Sequence, residues 1–159
     1  MRTAAEFLSG HIERTVRGPM WHGPALGDVL KDVSYSQARS RPVAGAHTIW
    51  EIVLHVTAWA EIARARLRGE RLEDPTPHED WPPPGATVAD WTSAVKRLDE
   101  SHQALAADVR QLDEQVLAQR IHGLDYTVST LLHGVIEHST YHGGQIAILK
   151  RGLSAPRTS

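Results

Sequence analysis

The sequence predicts an all-α fold, a bundle of helices in one domain spanning 1–159. Three observations carry this. Apolar residues recur at three- and four-residue steps over long windows. The strict alternation of a half-buried strand is not found, and there is no internal repeat. Glycine and proline cluster between the periodic windows, where they interrupt helices.

The first helix covers about residues 3–17 and stops at Gly18-Pro19, a strong breaker pair. Met20-Trp21-His22-Gly23-Pro24 reads as a turn. Pro24 suits the first turn of a following helix, where its missing N–H costs little. That helix carries Leu26, Val29, Leu30 and Val33 on one face. Residues 34–41 add one helical turn before Pro42 and Gly45.

A second long helix starts near His47-Thr48 and runs to Leu67 or Arg68. Ile52, Val56, Trp59, Ala63 and Leu67 form its apolar stripe, and His55 lies beside that stripe. Gly69 is placed to end it. Residues 70–86 hold five prolines and a glycine and read as a loop, of a length often functional or mobile. Thr87 and Asp90 have the spacing of a capping box. The third long helix runs from Val88 to Leu117, with Trp91, Val95, Leu98, Leu105, Val109 and Leu112 in its stripe. Residues 123–127 break the chain again. The last helix runs from Val128 to Lys150, closed by Gly152 and Pro156. Its inward seam is Leu131, Val135, His138, His142, Gln145 and Leu149, the spacing of a packed bundle face.

Composition narrows the function. The chain of 159 residues has no cysteine, which excludes disulfide frameworks, iron–sulfur clusters and a cysteine nucleophile. Net charge is −2, with both signs interspersed, so no basic face for nucleic acid is expected. The N-terminus has no long apolar region before a small-residue cleavage site, so no signal peptide is expected. No uncharged apolar stretch reaches about 18 residues, so neither is a membrane partner. A cytoplasmic location follows as an expectation. Ten histidines are dispersed along the chain.

Two of those histidines occupy seam positions that should hold leucine. Residues four apart on a helix are neighbours, so His138 and His142 are placed to share one ion. His55, inward on another helix, is the best third ligand by pattern. Spacing alone leaves two readings open: a metal site, or histidines satisfied by hydrogen bonds. The pair lacks the glutamate of an H-E-x-x-H motif, since Ser139 follows His138. No general base comes with it.

His47-Thr48-Ile49-Trp50-Glu51-Ile52-Val53-Leu54-His55 resembles the H-S-I-W-E-I-V-x-H segment of the DinB-like superfamily. His138-Ser139-Thr140-Tyr141-His142-Gly143-Gly144-Gln145-Ile146 resembles that family's H-x-x-x-H-x-G-Q-I ending. Trp21-His22-Gly23-Pro24 and Glu79-Asp80-Trp81-Pro82 match it too. The resemblance implies a four-helix bundle, here with a short extra N-terminal helix, and often a homodimer. It also implies one divalent ion, zinc or nickel, on His55, His138 and His142. YfiT-like members are described as metal-dependent hydrolases, and some relatives transfer a small thiol cosubstrate at the metal.

Two residues are candidates for catalysis. Glu51, four residues before His55, orients that histidine or acts as a base; its alternative is a solvated helix residue. Tyr141, between the two seam histidines, donates to substrate or packs. Gln145 is placed to hydrogen-bond a ligand histidine. Gly143 and Gly144 leave room for a neighbouring helix or a substrate. Trp50, Trp59 and Trp81 wall a pocket or fill the core. His22 approaches the site or stabilises its turn. His47 reads as a residue near a helix start, His133 as off the seam, and His78, His102 and His122 as surface or loop residues.

The functional expectation is therefore a metal-dependent enzyme acting on a small-molecule substrate, with water or a small thiol as nucleophile. The alternative is a non-catalytic, stress-related bundle in which the ion is structural. A structural zinc site is closed by four ligands, and only three are named here.

Overall fold

Four long helices form the frame: α1 (Ala4–Arg17), α4 (Ile49–Leu67), α6 (Val88–Arg110) and α8 (Val128–Ser154). The structure is a computed structural model and describes residues 2–154. Each long helix packs on two others, so that α1 contacts α6 and α8, and α4 contacts the same pair. Short helices fill the connections: α2 (Leu26–Leu30), α3 (Tyr35–Arg39), α5 (Pro77–Asp80) and α7 (Glu114–Leu117). There is no β-strand among the described residues.

Local chemistry sets most of the boundaries. Thr3, Thr48 and Thr87 each accept a hydrogen bond from the backbone N–H three residues on, while the carboxylates of Glu6, Glu51 and Asp90 accept one from the threonine N–H. Gly69, at φ 69°, follows the end of α4 in the left-handed region that a side chain disfavours.

Several boundaries depart from the sequence reading. Pro24 precedes α2 rather than entering its first turn; Ala25 is the N-cap, and Asp28 accepts from its N–H. The third long helix stops at Arg110. Residues 114–117 form a separate helix capped by Asp113, although no glycine or proline marks the break. The proline-rich segment contains α5, with Pro77 at its start and Thr76 as cap. The last helix passes through Gly152 to Ser154, and Pro156 lies outside the described residues.

Two apolar clusters fill the bundle. One gathers Trp50, Ile52, Val53, Leu98 and Ile146, and the other Ile12, Ala63, Leu105, Leu132 and Ile136. His102 sits between them on α6, fully buried, so its reading as a surface residue is corrected. Its Nδ1–H donates to the Leu98 carbonyl at 2.9 Å, and its Nε2 accepts from Ser139 Oγ at 3.1 Å. These bonds satisfy both ring nitrogens and explain how a helical stripe admits a histidine. Trp50 is core, not pocket wall.

Candidate metal centre

His55 on α4 meets His138 and His142 on α8 where the two apolar clusters part. The three residues offer ring nitrogens that all lie within 4.8 Å of one another. His55 and His142 are buried, and His138 is partly buried. The i, i+4 spacing brings the α8 pair together, with ring centroids 4.5 Å apart. Contact between α4 and α8 supplies the third ring, at 4.8 Å from each of the others.

The outer nitrogens determine what the inner ones offer. His55 Nδ1 lies 2.7 Å from the Asp80 carbonyl, which can only accept, so the proton is on Nδ1. His142 Nδ1 lies 2.7 Å from Gln145 Oε1, with the same consequence. Both rings therefore turn an unprotonated Nε2 inward. His138 Nε2 is 2.9 Å from His55 Nε2. Outer hydrogen bonds of this kind set the tautomer and orientation of metal-binding imidazoles.

Electrostatics agree. Burial, then the neighbouring His142 and His55, push the His138 imidazole down to about 3. Burial also lowers His55, against the opposing pull of Asp80, and lowers His142, against its bond to Gln145. All three rings are neutral at pH 7, the form that binds a metal. Bonds of about 2.0–2.1 Å to a shared ion place ligand nitrogens roughly 3–4 Å apart, so a small side-chain adjustment completes the fit.

Trp81 roofs the site. Its indole lies flat between His55, at 3.8 Å, and His47, at 3.6 Å. Trp59 stands 5.9 Å from His138 and donates to Asp80 Oδ1 at 2.7 Å. The α5 segment thus supplies both the acceptor for His55 and the roof. Asp80 was not singled out in the sequence, although Glu79-Asp80-Trp81-Pro82 was the available signal.

The two catalytic candidates stand outside the three-histidine cluster. Glu51 closes the α4 capping box, accepting from the Thr48 N–H, and pairs with Arg41 at 2.9 Å. Burial pushes its carboxyl up, but the Thr48 bonds and Arg41 outweigh this and hold it below the usual range. Its orienting role toward His55 is taken by Asp80. Tyr141 is exposed, with only its ring edge against His142, 5.1 Å between centroids. Gln145 does hold a histidine. Gly143 faces Leu26 at ordinary distance and Gly144 faces open space, so neither is needed for a close helix approach. His22 stays in its exposed turn.

A cavity of about 570 Å³ opens beside the rings, lined by His55, His138, Trp59, Leu131 and Val135 among others. No helix among the described residues is long and apolar enough to cross a membrane. A family model described as the DinB superfamily matches residues 22–146. No curated protein and no solved structure matches the chain.

Proposed function

The chain belongs to the DinB superfamily, and from that premise we propose that it is a metal-dependent enzyme whose three-histidine centre activates a small nucleophile against a substrate in the adjoining cavity. The observation that carries this is the convergence of three neutral imidazoles beside an open cavity of substrate size. A divalent ion such as zinc or nickel would be held by His55, His138 and His142, and supplies Lewis acidity that lowers the pKa of a water or thiol it takes up.

The surrounding residues do the positioning. Asp80 and Gln145 fix two tautomers and so aim the donor atoms. Trp81 and Trp59 shield the histidines and hold water away from one side. Between water and thiol, the geometry favours a small thiol. Glu51 is committed to its cap, and the Asp80 carboxylate is held by Trp59 beside His55, so neither stands free as a base. A thiol that has already lost its proton needs no base during attack. Its sulfur forms the new bond to an electrophilic carbon, and the leaving group departs with the electron pair.

Metal analysis of the purified protein tests the site. One equivalent of divalent ion is expected, with most of it lost in His142→Ala while helicity is kept. Full occupancy in that variant would sink the assignment. Turnover of a generic electrophile with a small thiol, but not of esters or amides, is the expected activity. Ester or amide hydrolysis without thiol would move the reading to a hydrolase. No turnover by the loaded protein in either assay would leave the ion a structural element. A homodimer is the proposed assembly, checked by light scattering.

A further inference from the structure

Arg66 lies eleven residues after His55 on α4, close to three full turns, so both residues share one face of the helix. Both line the same cavity, together with Trp59, Asp74, Tyr126, Leu131 and Val135. The Arg66 side chain is only 4 % exposed. Side chains on a helix lean toward its N-terminus, here toward His55. The guanidinium accordingly lies 5.8 Å from the centre of the Trp59 ring, and His138 stands 5.9 Å from that indole. A buried cation and two of the three histidines, His55 and His138, thus line one cavity, with the Trp59 indole between Arg66 and His138.

The charge of Arg66 is thinly compensated. Its Nη1 donates to the Tyr126 hydroxyl at 2.6 Å, and its Nη2 to the Glu73 carbonyl at 3.3 Å and to Asp74 Oδ1 at 2.9 Å. Its Nε–H is buried without an acceptor. Asp74, the one carboxylate it holds, is 92 % exposed. A cation taken out of water is costly unless well paired, and a pair with a solvated partner repays little. Asp74 can therefore swing into water and yield its place to another carboxylate, which the planar guanidinium fork accepts well.

We propose that this cavity binds a small carboxylate with an apolar body. The carboxylate takes the place of Asp74 on Arg66 Nη2, beside the Tyr126 hydroxyl. The body lies along Trp59, Leu131 and Val135, and the far end reaches the histidines. This names a substrate class for the function proposed above and rests on that reading only for the reaction at the far end.

Binding of phenylpropionate and of its uncharged amide, phenylpropionamide, tests the proposal by calorimetry and tryptophan fluorescence. Both probes are measured on metal-free and on zinc-loaded protein. The carboxylate is expected to bind about tenfold or more tighter than the amide in both forms, as a charge-assisted hydrogen bond implies. Arg66→Gln is expected to erase that preference. Asp74→Asn, at an exposed position that leaves folding intact, is expected to tighten carboxylate binding severalfold and leave the amide unchanged. Equal or undetectable binding of the two probes overturns the proposal. So does a preference seen only with zinc and retained in Arg66→Gln, which would put the carboxylate on the ion. If Arg66→Gln does not fold, Asp74→Asn decides alone, and an unchanged preference there overturns the proposal. Failure to take up zinc would count against the metal centre, while the metal-free measurements still read Arg66.

Discussion

Histidine plays two distinct parts in this bundle, and its hydrogen bonds tell them apart. His102 has both nitrogens satisfied within the protein. His55 and His142 have their outer nitrogens held by Asp80 and Gln145 and turn the inner ones toward a shared point, where His55 Nε2 meets His138 Nε2 at 2.9 Å. Gln145→Leu removes the acceptor of His142 without touching a proposed ligand. It is expected to weaken zinc affinity by about 10–100-fold, measured by competition with a chelating dye. His102 gives a prediction about pH. Burial pushes its imidazole down to about 4, well below its ordinary 6.5. The unfolded chain therefore binds a proton between those values and the folded chain does not. The stability His102 contributes is full above pH 6.5 and is lost as pH falls from 6.5 through 4. The loss is roughly 3 kcal/mol over that window. Urea titrations at several pH values should show this acid limb, flattened in His102→Asn relative to the wild type.

At the scale of elements, the site depends on how short segments are tied to long helices. α5 is a four-residue helix with no buried residue of its own, yet Asp80 and Trp81 at its end complete the surroundings of His55. Arg71 binds Glu79, and Thr76 caps the segment, so its shape is set by charge and capping rather than by burial. The contact of α2 with α1 rests on a glycine. A Cβ on Gly27 would stand 2.6 Å from the Val16 carbonyl oxygen, a backbone atom that cannot turn aside. Gly27→Ala is expected to cost about 1–3 kcal/mol despite alanine's higher helix propensity. Thermal denaturation checks this, and a neutral or stabilising effect would show that α2 shifts freely.

For the whole molecule, the decisive arrangement is two apolar clusters with polar side chains between them. His102 and Ser139 bridge α6 and α8 on the inside, and of the three clustered histidines His55 and His138 line the cavity. The clusters hold the bundle without help from the histidines, since each draws on several long helices. Metal removal by a chelator is therefore expected to leave helicity by circular dichroism unchanged and to lower the melting temperature only moderately. Ligand at a hundred times its Kd adds about 2.7 kcal/mol, far less than the binding energy on which a zinc finger depends to fold. Collapse of helicity on chelation would make the ion structural.

The sequence by itself determined the four long helices and the His138–His142 pair, while His55 as their partner rested on the family resemblance. Both are written in short-range terms: stripes at three- and four-residue steps, threonine caps with their acidic partners, and a pair four residues apart on one helix. Tertiary structure decided what lies between helices. The stop of α6 at Arg110 carries no breaker residue, and the fate of His102 depended on which way α6 turned. The partner of His55 could not be read from spacing, because Glu51 is nearer in sequence and Asp80 nearer in space. Glu51 was spent on the cap that the same sequence advertises. Arg66 became part of the cavity only when α4 met residues 74 and 126. Periodicity reports which face of a helix is buried, but not which residues from distant segments that face will meet.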